Sequence, residues 1–464
     1  MPEEFDVLVI GGGPAGEHFA GKAAAKGLSV ALIERELVGG ECSYWACMPS
    51  KTLLRPVQLL AETRRVPGAA EAITGPVDVK ATFERRDYMT SSWSDAGQVK
   101  WLERAHIPLI RGHGRIAGRL EVDVETPDGS HTRVTARKAV IVATGSSASL
   151  PPIEGLAAAE PWTNREILET HDVPERLIVI GGGVVGVEMS QAMKRLGSRE
   201  VTILEGGPRL LTNAEPFVGT ALKKALEQDG IVVRTEAKIA SVSRSAPHRP
   251  VAVEVDGDVI TADEILVAAG RRPRTSDLGV EVVGLEPGKA ISVDDAMRAV
   301  DVEGEWLYAI GDVNGRSLLT HMGKYQARVL ADVLSGGSLR DHADGFAVPG
   351  VIFTDPQIAS IGRTERQARE LGIDVRVLTT DIGGIAASSI WGEGLEGTCQ
   401  LVVDVNREVI VGATFVGPPV GEMLQAATIA IVGEVSLSTL RHAVPSFPTL
   451  SEIWLELIES YFAP

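Results

Sequence analysis

Asp6-Val7-Leu8-Val9-Ile10-Gly11-Gly12-Gly13-Pro14-Ala15-Gly16 is the stretch that decides how this chain folds. Its apolar run reads as a buried strand, and the glycines turn that strand into a helix running through Ala20 to Lys26. Gly11, Gly13 and Gly16 fall at the spacing G-x-G-x-x-G, with Pro14 and Ala15 opening the helix. The three glycines serve different physical ends, namely a tight turn, a close backbone approach to a pyrophosphate, and close packing of helix on strand. A second strand, Ser29 to Ile33, leads into Glu34, an acid at the distance where ribose hydroxyls are held, and Arg35 follows. Strand, turn, helix, strand and acid together predict a dinucleotide site.

The same unit recurs further along. Arg176 to Ile180 reads as a strand, Gly181-Gly182-Gly183-Val184-Val185-Gly186 as the turn, Val187 to Leu196 as the helix, and Val201 to Leu204 as a strand closed by Glu205. Two such units predict an α/β protein with two Rossmann-like dinucleotide-binding domains. Pro151-Pro152 and Pro161 mark an exit from the first, and a Gly/Ser-rich segment at Ser335 to Ser338 precedes a third region. There, strands such as Leu401 to Val405 and Val409 to Phe415 alternate with a helix from Gly421 to Val432, an α+β pattern. The expected boundaries are 1–153 for the first nucleotide domain, 154–274 for the second, 275–344 for a segment completing the first, and 345–464 for a C-terminal interface domain.

At 464 residues the chain has room for about three domains. A net charge of −17 argues against nucleic acid or an anionic membrane as partner. Three cysteines are too few for a secreted disulfide scaffold, and no apolar run approaches a membrane span, so a cytoplasmic location is expected. No metal-ligating cluster is read in the sequence.

Two of those cysteines lie in Gly39-Gly40-Glu41-Cys42-Ser43-Tyr44-Trp45-Ala46-Cys47-Met48-Pro49-Ser50-Lys51. In a regular helix, positions i and i+5 sit about 140° apart and too far apart for the disulfide's Cα separation of roughly 4.4–6.8 Å. A bond between Cys42 and Cys47 therefore requires a distorted first turn. So short a loop gains only about 2 kcal/mol of closure entropy, which makes it a poor structural staple. On spacing alone, two unconnected core thiols remain the other reading.

With these motifs in this order, the chain resembles the pyridine nucleotide–disulfide oxidoreductase family of flavoproteins, among them glutathione reductase, dihydrolipoamide dehydrogenase and mercuric reductase. The resemblance implies FAD in the first site, a nicotinamide nucleotide in the second, a redox-active Cys42–Cys47 disulfide and a homodimer joined through the C-terminal domain. It assigns Gly11, Gly13, Pro14, Ala15, Gly16 and Glu34 to FAD, with Gly114 at the adenine, Ala143-Thr144-Gly145 as a second flavin-side turn, and Asp312 of Gly311-Asp312 at the ribityl chain. Leu319-Thr320-His321 begins the helix facing the flavin carbonyl, where a positive dipole end suits negative charge. Arg35, Gly40, Glu41 and Gly270 join the cofactor-binding set. Lys51 is implied near the flavin N5, paired with Glu188; without the family both read as surface charges. On the nicotinamide side Gly181, Gly183, Val184, Val185 and Gly186 form the cradle, and Glu205, where a 2′-phosphate would want arginine, favours NAD over NADP despite Arg209.

The family passes reducing equivalents from the nicotinamide through the flavin to the nearer cysteine, here Cys47, while Cys42 exchanges with the acceptor. A histidine in a C-terminal His-Pro-Thr segment then handles the proton. This chain reads Phe447-Pro448-Thr449, although the acid that orients the histidine is present as Glu452. His442, five residues before Phe447, is a possible substitute, with a surface loop histidine as the alternative. Other departures are Glu41, where a threonine is usual, and Tyr44-Trp45, which with Phe447 offer apolar surfaces for a flat acceptor or for plain core packing. Cys399 is expected to be a packed core thiol, and the sequence has no additional C-terminal cysteine pair, which disfavours mercuric reduction. The expected function is NADH oxidation through FAD and the cysteine pair, with a small-molecule disulfide or other electron acceptor. The alternatives are direct reduction of a quinone or dye by the flavin, and a redox sensor or scaffold that does not turn over.

Overall fold

The computed structural model describes residues 4–247 and 249–463. By its internal contacts the chain divides into two units, one made of residues 1–49, 85–149 and 271–344 and the other of 50–84, 150–270 and 345–464.

The first unit is built on the quoted strand, Glu4–Ile10, whose Val7, Leu8 and Val9 are fully buried. It lies between Val30–Glu34 and the long strand His131–Val142, parallel to both, and Leu109–Arg111 and Leu307–Ala309 extend the parallel part. The strand His131–Val142 has two functions along its length: its second half joins the parallel sheet, while its first half pairs antiparallel with Glu121–Glu125, which pairs with His113–Gly118. Helices Pro14–Ala25 and Thr320–Leu334 pack against each other, with Gly323 close to Ala15.

The second unit repeats the parallel arrangement in the order Val232–Arg234, Glu200–Leu204, Arg176–Ile180, Glu264–Val267, with the helix Val184–Leu196 after the second glycine turn. It adds a three-stranded antiparallel sheet (Ile239–Arg244, Val251–Val255, Asp258–Ala262) and a five-stranded one, in which Val409–Gly417 is buried along its whole length between Gln357–Gly362 and Thr398–Asp404. Cys399 lies on that sheet with no exposed surface, as expected, and burial pushes its thiol up to about 12.

Several boundaries differ from the sequence reading. The second strand runs from Val30 to Glu34, one residue later than expected, so that Glu34 ends it. The helix expected from Gly421 to Val432 begins at Leu424, after a 3-10 turn at Val420–Met423. Residues 50–84, placed in the first domain by sequence, group with the second unit. The reason is packing: Leu53, Leu54, Val57 and Phe83 share a buried cluster with Val179, Val187 and Met193. Among the described residues, no helix is long and apolar enough to cross a membrane.

Candidate functional site

The two glycine turns are structural copies. Gly11 and Gly181 have φ of +104° and +110°, left-handed values that favour glycine. A Cβ on Gly16 would lie 2.0 Å from the Gly11 carbonyl oxygen, and one on Gly186 would lie 2.0 Å from that of Gly181. By contrast, a Cβ on Gly13 or Gly183 would meet nothing within 4 Å. Gly13 and Gly183 are the N-caps of helices of 12 and 13 residues, and neither helix has a side-chain cap. Open space before uncapped N–H groups is where a pyrophosphate fits.

The acids are copies as well. Glu34 accepts from the Gly12 N–H at 2.6 Å and the Glu36 N–H at 2.7 Å; Glu205 accepts from the Gly182 N–H at 2.6 Å and the Gly207 N–H at 2.5 Å. Each carboxylate is thereby fixed beside its glycine turn. Arg209, the residue that kept NADP open, donates to the carbonyls of Thr212 at 2.8 Å and Ala214 at 3.1 Å. Val184 is exposed at the head of its helix, Val185 is half-buried, and Gly270 has φ +122° just after the strand Glu264–Val267.

The first unit gathers the remaining expected flavin-side residues. Gly40 (φ +54°) leaves no room for a Cβ, which would stand 2.7 Å from the Gly13 Cα. Gly114 is buried against Ile33 and Ile10, Ala143 donates its N–H to the Ile10 carbonyl at 2.8 Å, Thr144 donates its hydroxyl to the Arg274 carbonyl at 2.9 Å, and Gly145 has open space at its Cβ position. Gly311 donates to Gln326 Oε1 at 2.7 Å, and Asp312 accepts from the Ser146 hydroxyl, which Arg271 Nε also contacts at 2.7 Å. Arg35 reaches His113 Nδ1 at 3.5 Å. Leu319 is the N-cap of Thr320–Leu334, whose first turn carries Thr320 and an exposed His321.

Sequence reasoning missed Ser146, Arg271 and Arg274. The signal was the basic run Arg271-Arg272-Pro273-Arg274, which the structure turns toward Glu41: Arg274 Nη2 lies 2.8 Å from Glu41 Oε1, and Arg271 lies 3.8 Å from Glu41 Oε2. The unusual acid before the first cysteine is thus neutralised within the chain.

Cys42 and Cys47 lie on two separate helices, Gly40–Tyr44 and Cys47–Arg64, with the break at Trp45 and Ala46. A break between helices, rather than a distorted first turn of one, brings the sulfurs together. The two sulfurs are hydrogen-bonded to each other. That bond, followed by burial and the charge of the neighbouring sulfur, pushes the Cys42 thiol far up. Cys47 Sγ also sits 3.3 Å from Thr320 Oγ1.

Lys51 lies one turn beyond Cys47 on the same helix and pairs with Glu188 at 2.6 Å; Glu188 is buried and also accepts from the Phe353 N–H at 2.8 Å. The surface reading of this pair is set aside by that burial. For Tyr44 and Trp45, open between an acceptor surface and core packing, the structure shows core packing. Their rings are buried, 5.7 Å apart, and the Tyr44 hydroxyl donates to the Val38 carbonyl at 3.1 Å, so they are core and offer no face to a flat acceptor. Phe447 is 74% exposed, His442 is exposed, and Glu452 Oε2 is buried with no hydrogen-bond partner among the described residues.

Two nucleotide cradles and a paired dithiol define a nucleotide-dependent redox flavoprotein. The chain belongs to the pyridine nucleotide–disulphide oxidoreductase family: residues 5–327 match that family's model, and residues 348–458 match its dimerisation domain. It is 31% identical over 455 residues to a mercuric reductase of Lysinibacillus sphaericus, covering 97% of this chain and 81% of that one. To a dihydrolipoyl dehydrogenase of Thermus scotoductus it is 32% identical over 462 residues, covering 98% and 97%. It shares the fold of the HOCl-induced flavoprotein disulfide reductase RclA of Escherichia coli, solved as a copper(II) complex, with TM-score 0.86, 24% identity and 99% of each chain covered. The family binds FAD and a nicotinamide nucleotide, and both cradles fit such groups.

Proposed function

We propose that this chain is an NADH-preferring, FAD-dependent oxidoreductase, homodimeric through residues 345–464, in which Cys42 and Cys47 carry electrons to a small disulfide or related acceptor. One observation carries the reading: the two thiols are brought together across a helix break, with Cys47 on Thr320 at the head of a 15-residue helix. A structural pair would have no reason to sit at that helix N-terminus, whose dipole favours a thiolate. When bound, FAD supplies two-electron transfer between the nicotinamide and the dithiol. The chain's own groups do the rest. Gly13 and Gly183 admit the pyrophosphates, Glu34 and Glu205 take ribose hydroxyls, Lys51 is held in place by Glu188 at 2.6 Å, and Cys42 exchanges with the acceptor.

The preference for NADH rests on Glu205, whose carboxylate would repel a 2′-phosphate, and on Arg209 being occupied by backbone carbonyls. With phenylalanine in place of the C-terminal histidine, exchange is expected to run about 10²–10⁴-fold below that of a histidine-equipped relative. Direct reduction of a flat acceptor by the flavin is the weaker reading, because Tyr44 and Trp45 are buried.

Anaerobic titration with NADH tests the relay. Uptake of four electrons per subunit, with a long-wavelength band, is expected. Uptake of two without the band would mean that the flavin acts alone.

A further inference from the structure

Resting on that reading, the absence of the histidine leaves a specific chemical problem. The hydrogen bond between the two sulfurs, with burial, pushes the Cys42 thiol up, so the exchanging thiol resists losing its proton. To attack an acceptor it must become a thiolate beside another thiolate. Such a state needs a positive charge nearby.

The helix Thr320–Leu334 supplies one. Thr320 touches Cys47 at 3.3 Å, and Lys324 follows Thr320 by one turn on the same helix face, about 6 Å along the axis. Lys324 is half-buried, and its charge acts to lower the proton affinity of Cys42. The helix Pro14–Ala25, packed along this one, brings Glu17, a half-buried acid that burial pushes up and Lys324 pulls down, and His18, which burial and the charges of Arg328, Lys324 and Lys22 push down. On the helix that carries Cys42, the charge of Glu41 is already met by Arg274 at 2.8 Å. Of the charges on these elements, those of Cys47 and Lys324 act on Cys42, and Lys324 also acts on Glu17 and His18.

We propose that Lys324 is the counter-ion of the Cys42 thiolate, supplying from the same subunit the positive charge that the missing histidine would have brought. The exchange then runs as follows. The Cys42 thiolate attacks one sulfur of a disulfide RSSR, forming Cys42–S–S–R and expelling a thiolate, which takes a proton from water. The Cys47 thiolate attacks the Cys42 sulfur, closing the Cys42–Cys47 bond and expelling the second thiolate, which is protonated in turn. Two electrons leave the pair and two thiols are released. Because the thiolate is the attacking form, Cys42 reactivity should rise steadily through pH 9.

The test uses the FAD-loaded dimer, reduced chemically with a phosphine so that the result does not depend on NADH delivering electrons. Iodoacetamide labelling of Cys42, Cys47 and Cys399 is followed by peptide mass spectrometry from pH 6 to 10. Lys324→Gln should slow Cys42 labelling about tenfold at pH 8 and shift its profile about one pH unit upward, as expected for losing a unit charge at this range. Lys324→Arg should stay within about threefold of the native protein, since the charge is kept. Buried Cys399 serves as the folding control and should stay unlabelled in every variant. A Lys324→Gln profile matching the native one, with Cys399 protected, would overturn the proposal, as would an Arg variant as slow as the Gln variant. If NADH reduction of the pair fails while the labelling difference holds, the relay reading falls and the counter-ion stands.

Discussion

Replacing Glu188 separates charge from hydrogen bonding at the Lys51 pair. Glu188 holds the Lys51 ammonium at 2.6 Å through one oxygen and the Phe353 N–H at 2.8 Å through the other, and its side chain is 3% exposed against 33% for Lys51. Breaking a buried pair costs about 3–5 kcal/mol, but water reaches Lys51 and recovers part of this, which leaves about 1–2 kcal/mol for Glu188→Gln. The Gln variant keeps an acceptor for Phe353; Glu188→Ala does not. A stranded buried N–H adds about 1–3 kcal/mol, so Ala should fall below Gln by about 2 kcal/mol. The contact of Lys51 with the Phe353 ring, 5.1 Å to its centre, survives in both. Urea unfolding of the FAD-loaded protein, followed by far-UV circular dichroism at one protein concentration, ranks the three. Native above Gln above Ala is the expected order. Equal stability of Gln and Ala would refute the role given to the Phe353 bond, and a native-like Ala variant would refute the pair as a structural feature altogether.

Two further outcomes follow from the site. Gly186→Ala places a Cβ where the Gly181 carbonyl oxygen stands 2.0 Å away, and such overpacking costs about 1–3 kcal/mol; KM for NADH should rise about tenfold with FAD retained, whereas Gly16→Ala, equally crowded against Gly11, should lower FAD content instead. An unchanged KM in Gly186→Ala would remove the nicotinamide from the second cradle. Phe447→His should raise disulfide reduction by up to about 10²–10⁴-fold, read in kcat over a pH series, and no rise would mean that the lost base was not the only barrier.

Legibility from sequence differs from one element to the next. The two cradles were legible because their constraint is local: a glycine turn, a strand before it and an acid after it are neighbours in sequence, and Gly16 on Gly11 or Glu205 on Gly182 closes within a few tens of residues. The link from Glu41 to Arg274 was not legible, since it spans 233 positions and nothing in either segment names the other. Tyr44 and Trp45 were open between acceptor surface and core because a residue between two cysteines has no periodicity to show its facing; only the helix break turned them inward. Residues 50–84 group differently from the sequence reading for a related reason. The helix Cys47–Arg64 reads as one element, but Leu53, Leu54 and Val57 on it pack with Val179, Val187 and Met193, far away in sequence.

Near the dithiol, charges are met by other charges of the same chain. Glu41 adds a negative charge beside Cys42, and Arg274 and Arg271 take it up at 2.8 and 3.8 Å. Burial raises the proton affinity of Glu17, and Lys324 opposes that rise while acting on Cys42 in the same sense. At Phe447 the pattern is different. The Phe447 ring is exposed, and Glu452 keeps a buried oxygen with no partner among the described residues. On the counter-ion proposal, the charge that serves the exchanging sulfur lies on the helix carrying Thr320 and Lys324 and not in the C-terminal segment. On that view Phe447→His and Lys324→Gln act on the same step from opposite sides, and in the double variant the histidine should restore much of the exchange that the lysine's removal costs.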